Sequence, residues 1–189
     1  MPTFGRNTCA TPRSRQSPLC GSGAAPFFAS FPEANLIDAT DRAALVSMLD
    51  KGHTDEPDFK LPLTCESLGQ CLGAAKLNRL SAFFEQNLPG SSFTEIILRR
   101  TQPHKDYCIG FHKDHSLATL QVPLNDDFVG GNLVYLDQPN RRIVQPRRPP
   151  SSATLHNNAV VHGVTKLEQG VRYALFLLQT PASLSIEAI

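Results

Sequence analysis

No stretch of the chain approaches the roughly 18–20 consecutive apolar residues that a membrane-spanning helix requires, and the N-terminus lacks the apolar run of a secretory signal. A soluble protein with no membrane partner is therefore expected. No C-x-x-C pair occurs, and the five cysteines (Cys9, Cys20, Cys65, Cys71, Cys108) form an odd set. This argues against a disulfide scaffold or a structural zinc site and favours a reducing, intracellular setting, the cytoplasm being the simplest. Charge of one sign is missing as well: a formal net charge of +1 supplies no field that would draw nucleic acid or an anionic surface. No acidic residue precedes Glu33, while Arg6, Arg13 and Arg15 lie among Ser, Thr and Pro. That composition fits an organelle transit peptide or a disordered tail, and the lack of amphipathic periodicity favours the tail. Internal repeats are absent.

What the chain does have, 189 residues at 41% hydrophobic content, is enough for one domain with a sizeable core. Residues 1–30 are expected to be a flexible segment and residues 31–189 a single domain. Apolar spacing through Leu36, Ile37, Ala43, Ala44, Leu45, Met48 and Leu49 predicts a helix from about Asp41, with Asp38, Thr40 or Asp41 as cap. Lys51 to Pro62 is polar with two prolines and reads as a connector. A second, longer helix follows over Ser67–Leu88, closed by Pro89-Gly90.

From Phe93 the pattern changes to short β-type runs: Phe93–Arg99, Ile109–His112, Leu117–Leu124, Asn132–Leu136, Ala153–Leu155, Ala159–Val164 and Val171–Gln179. A mainly β chain is expected, an antiparallel sandwich or jelly roll with the helices on one outer face. The basic, proline-rich stretch Arg141–Pro150 reads as a solvated loop, with an anion or substrate contact as the alternative.

Within Gly110-Phe111-His112-Lys113-Asp114, strand alternation points His112 and Asp114 to the same side. His-x-Asp plus one distant His is the makeup of a facial triad that holds non-haem Fe(II) and leaves its other positions open. Alone, His-x-Asp is more often a surface feature. His162 is the candidate third donor; His156 competes for the role. The runs Ala159–Val164 and Val171–Gln179, joined by the polar turn Thr165–Gly170, are expected to pair as a hairpin and bring His162 beside Arg172. Arg172 alternates in phase with Ala174, Phe176 and Leu178, and both faces of its strand are largely apolar. A guanidinium buried there needs a partner, either a carboxylate ligand held in two-point contact or a protein Asp or Glu. His104 and His115 are expected to face solvent, and Cys108 to be a small packed residue.

The order and spacing of several blocks resemble one family. The blocks are Ile96-Ile97-Leu98-Arg99-Arg100, Phe111-His112-Lys113-Asp114, Leu124-Asn125, Phe128-Val129-Gly130-Gly131-Asn132-Leu133, His162-Gly163-Val164 and Gly170-Val171-Arg172-Tyr173. Together they span about half the chain and are similar to the 2-oxoglutarate/Fe(II) oxygenases, in particular the prolyl and lysyl hydroxylase branch. The resemblance implies a double-stranded β-helix (jelly roll, cupin-like) with N-terminal supporting helices. In it His112, Asp114 and His162 hold Fe(II), and Arg172 binds the distal carboxylate of 2-oxoglutarate. The cofactors would be Fe(II), which is retained, and 2-oxoglutarate with O2, which are consumed to succinate and CO2 as one oxygen atom enters the keto acid's carboxylate and the other hydroxylates an aliphatic C–H bond. The ten-residue step from His162 to Arg172 looks like the lysyl-hydroxylase arrangement.

With Asn125 as register mark, Thr119 and Gln121 are expected near the co-substrate, with Leu133 as a wall. Ser151-Ser152 stands where the family often has Gly. Leu178 stands where nucleic-acid demethylases of the family carry another arginine, so nucleic acid is not the expected partner. The primary substrate is open, a protein prolyl or lysyl side chain being one candidate. An oxidative N-demethylase and a non-catalytic β-helix module that binds a ligand or partner are the alternatives.

Overall fold

The computed structural model describes residues 24–52, 55–104 and 108–181. Most of the flexible start expected over residues 1–30, with its alternative as a transit peptide, lies outside the described residues. The part inside includes a strand, β1 (Phe28–Phe31). Helix α1 (Ala39–Lys51) starts two residues before the expected position because Asp38 and Asp41 form a reciprocal cap: each carboxylate accepts the other's backbone N–H, at 2.9 and 3.0 Å. Next comes β2 (Asp58–Leu63), in a segment whose polarity and prolines predict a connector. Its Pro62 is tolerated because β2 is the terminal strand of its sheet, where a missing N–H breaks no ladder.

The long second helix is two helices, α2 (Cys65–Leu72) and α3 (Ala74–Asn87). Gly73 parts them with φ +82°, a left-handed conformation that costs glycine little, and its N–H caps Gly69 O at 2.8 Å. Helix α2 opens on a box made by Thr64 and Ser67. Cys65 is disulfide-bonded, whereas Cys71 and Cys108 are free, so the cysteines are not uniformly thiols as expected. Among the described residues no helix is long and apolar enough to cross a membrane.

The rest is strand: β3 (Glu95–Thr101), β4 (Ile109–His112), β5 (Ala118–Pro123), β6 (Val129–Gly130), β7 (Leu133–Asp137), β8 (Arg142–Val144), β9 (Ala153–Asn157), β10 (His162–Val164), β11 (Leu167–Gln169) and β12 (Arg172–Gln179). All pairings are antiparallel. A six-stranded sheet runs β1-β9-β5-β12-β3-β2, a four-stranded sheet β4-β10-β7-β8, and β11 pairs with β6. This is a double-stranded β-helix. The outer face of the larger sheet, with Ile96, Leu98, Leu120, Val122, Leu155, Leu175 and Leu177, forms one buried cluster with Leu45, Leu49, Leu68, Leu80 and Phe84 of the helices. Its inner face is left to line a cleft.

The expected hairpin is not formed. β10 pairs with β4 and β7, whereas β12 lies between β3 and β5 in the other sheet. The turn between them carries its own strand, β11, and ends at Gly170 with φ +79°, so the chain crosses from one layer to the other instead of folding back. His162 and Arg172 therefore belong to different sheets and meet at the cleft.

Candidate metal and co-substrate site

His112 ends β4 and His162 begins β10, and the two are direct cross-strand partners. Their rings lie 4.4 Å apart, centroid to centroid. Gly163 permits this approach: a Cβ there would stand 2.9 Å from the Ile109 carbonyl oxygen. Asp114, just past the end of β4, turns its carboxylate between the imidazoles, with Oδ1 at 3.5 Å from Nε2 of both His112 and His162. The three donor atoms all lie within 4.8 Å of one another. Donors bonded at about 2.1 Å to a shared ion stand about 3–3.5 Å apart, so the set is sized for a transition metal, and two imidazoles with one carboxylate suit Fe(II).

Proton placement agrees with that use. His112 Nδ1 is 2.8 Å from the Gly110 carbonyl, which only accepts, so Nδ1 carries the hydrogen and Nε2 the free lone pair. Burial, reinforced by His156, pushes the His162 imidazole down to about 4, while Asp114 acts in the opposite direction. Burial alone would raise the Asp114 carboxyl. The His156 hydrogen bond, the His156 and His162 charges and the Thr119 hydroxyl outweigh it and hold the group well below the usual carboxylate range.

The cleft has a volume of about 840 Å³ and is lined by His112, Asp114 and His162 on one side and by Gln121, Arg172, Phe176 and Leu178 on the other. Arg172 is buried, and among the described residues no carboxylate pairs with it. Burial first, then the charges of Arg148 and Arg99, lower its pKa to about 9 against the opposing charge of Asp58. Asn125 fixes its place: its side chain donates to Val171 O at 2.6 Å and accepts from Tyr173 N at 2.8 Å, bracketing the arginine on both sides.

Arg148, expected in a solvated loop, instead turns inward, and burial lowers its pKa to about 10. Its Nη2 donates to Gln121 Oε1 at 3.2 Å. Since arginine only donates, the Gln121 amide must present oxygen to Arg148 and its N–H groups elsewhere.

Other expectations shift. Thr119 bonds Asp114 Oδ2 at 2.6 Å, which makes it a neighbour of the donor set. Leu133 is buried with Tyr135 and Val160, away from the cleft. His156 points to Asp114 Oδ2 at 2.9 Å and is not among the converging donors. Cys108 is exposed at the cleft, not packed, and His104 and His115 are exposed as expected. Ser151, where the resemblance leads to glycine, adopts φ +68° and is held by bonds to Ile37 O at 2.5 Å and from Arg42 Nη1 at 2.7 Å. Tyr135 and Arg148 carry no distinguishing pattern in sequence, and Asn125, marked there only as a register position, shows its hold on the Arg172 backbone in the structure alone. His156 shares a strand face with Thr154, and only its placement inside the barrel reveals its contact.

No family model matches the chain. A curated relative, 2-oxoglutarate and iron-dependent oxygenase domain-containing protein 2 of Danio rerio, is 29% identical over 79 residues, which is 39% of this chain and 23% of that protein. Among solved structures, a 2OG-Fe(II) oxygenase family oxidoreductase from Burkholderia pseudomallei aligns with TM-score 0.62 at 19% identity, over 80% of this chain and 82% of that one. A prolyl hydroxylase from Trichoplax adhaerens, in complex with a hypoxia inducible factor peptide, also gives 0.62, at 13% identity and the same coverage. HygX from Streptomyces hygroscopicus, with nickel and 2-oxoglutarate bound, gives 0.57 at 14% identity, over 82% and 83% of the two chains. The fold is the one that these solved oxygenases share, and on it this chain carries a His-Asp-His donor set.

Proposed function

We propose that the protein is an Fe(II)- and 2-oxoglutarate-dependent dioxygenase, a hydroxylase of aliphatic C–H bonds. The observation that carries this is the juxtaposition across one cleft of converging His112, Asp114 and His162 donors and the buried Arg172, which no carboxylate of the described residues meets within ion-pair distance. When bound, Fe(II) with 2-oxoglutarate and O2 supplies the oxidising chemistry. The chain's own residues bind and orient. His112 Nε2, Asp114 Oδ1 and His162 Nε2 would hold the ion. Arg172 pairs with the distal carboxylate of the keto acid, and Gln121, its Oε1 held by Arg148, directs N–H groups at the same ligand.

The cleft is near the upper end of the range of about 300–1,000 Å³ typical of small-molecule sites, more than a five-carbon diacid fills. A primary substrate therefore enters over Phe111, Lys113 and the β2–β3 end of the larger sheet. We favour a protein prolyl or lysyl side chain: the hydroxylase-like blocks and the peptide-bound Trichoplax protein of the same fold support it, and Leu178 stands where nucleic-acid demethylases of the resembling family carry another arginine. Succinate formation from 2-oxoglutarate that requires Fe(II), rises with a substrate peptide and adds one oxygen atom to it is the expected result. Release of formaldehyde from an N-methylated substrate, without retained oxygen, would move the assignment to a demethylase.

A further inference from the structure

His156 is a fully buried imidazole on β9 that is not one of the converging donors. Both of its nitrogens are nonetheless committed. Nε2 lies 2.9 Å from Asp114 Oδ2, and Nδ1 lies 3.1 Å from the hydroxyl of Tyr135, itself fully buried on β7. A carboxylate oxygen only accepts, so the Nε2–H donates to it. The same Oδ2 accepts the Thr119 hydroxyl at 2.6 Å, and Thr119 is 2.8 Å from Ser116 Oγ. The two oxygens of Asp114 are thus divided. Oδ2 is occupied by two protein hydrogens, while Oδ1 alone faces the Nε2 atoms of His112 and His162.

We infer that His156, braced by Tyr135, is a positioning residue that makes Asp114 a one-oxygen metal donor. A free carboxylate beside a cation can turn both oxygens toward it; here that rotation would break two charge-assisted hydrogen bonds inside the barrel. Holding Oδ2 back keeps coordination positions available for a keto acid and O2, and it fixes the direction of Oδ1 before any ion arrives. The two braces come from different strands, β5 and β9, while Tyr135 comes from the opposite sheet. The carboxylate's angle is therefore tied to the spacing of the two layers. This inference rests on the proposed donor set.

Co(II), which reports its coordination by visible absorption and does not turn over, is the probe. Wild type, His156→Leu, His156→Gln, Tyr135→Phe and Asp114→Ala are titrated, with circular dichroism and thermal melting to establish folding. The inference predicts about 10–100-fold weaker Co(II) binding for His156→Leu, with an altered visible band as Asp114 turns. His156→Gln, which restores an N–H donor, should recover part of the affinity, and Tyr135→Phe should shift it a few-fold in the direction of His156→Leu. Unchanged affinity and band in folded His156→Leu would overturn the inference and leave His156 a core residue. If His156→Leu does not fold, Tyr135→Phe decides by the same criterion. Loss of binding in Asp114→Ala but not in the His156 and Tyr135 variants defeats only the positioning role; retained wild-type binding in Asp114→Ala defeats the donor set itself.

Discussion

A guanidinium buried without an ion-pair partner costs free energy, and Arg172 is such a group among the described residues. On the proposed function, ligand binding and stability are opposed at this residue. Arg172→Met keeps the side chain's length and removes its charge, so the ligand-free protein should melt higher, by the equivalent of about 1–4 kcal/mol, while 2-oxoglutarate binding is lost. A variant that melts lower and still binds the keto acid normally would make Arg172 structural. Asn125 acts on the same arginine through the backbone, and Asn125→Ala removes both bonds that flank it. A loss of about 1–3 kcal/mol in chemical denaturation is expected, with weaker 2-oxoglutarate binding in isothermal titration. Ser151 shows a related compromise, since its left-handed backbone is offset by two side-chain hydrogen bonds.

Between elements, the closest constraint on the donors is the contact of β10 with β4 at Gly163. Gly163→Ala would press a methyl group into the Ile109 carbonyl and separate His162 from His112. The expected cost is about 1–3 kcal/mol of stability, together with weaker metal binding than in wild type by calorimetry. The cap of α1 carries a pH signature. Lys76, with the Asp41 backbone N–H, lowers the Asp38 carboxyl from 3.8 to about 2. A depressed carboxylate contributes stability that is complete above the unfolded value and disappears as pH falls through the folded one. The melting temperature should therefore drop between pH 4 and 2 by a larger amount in wild type than in Asp38→Asn.

Part of this was legible in the sequence. His112 and Asp114 do converge, although Asp114 lies past the end of β4, where strand alternation no longer applies, and the in-phase set Arg172, Phe176, Leu178 does line the cleft. The partner of β10 was not legible, because apolar periodicity tells which face a strand buries and not which sheet it joins. β2 and β8 were hidden by prolines and arginines that are tolerated at sheet edges. Arg148 looks like any loop arginine until the barrel closes around it. At the scale of the whole molecule, the helices take one face of the larger sheet and free the other, and the smaller sheet supplies two imidazoles across the gap. On the proposed function the cleft holds Fe(II) and a keto acid at once. Anaerobic titration of the protein with Fe(II) and then 2-oxoglutarate tests it most directly, read as the weak visible charge-transfer band of the chelate and repeated with Asp114→Ala. A band is expected in wild type, absent in Asp114→Ala and needing much higher 2-oxoglutarate in Arg172→Ala. A folded, iron-loaded wild-type protein that gives no band would contradict it and leave a β-helix that binds some other ligand.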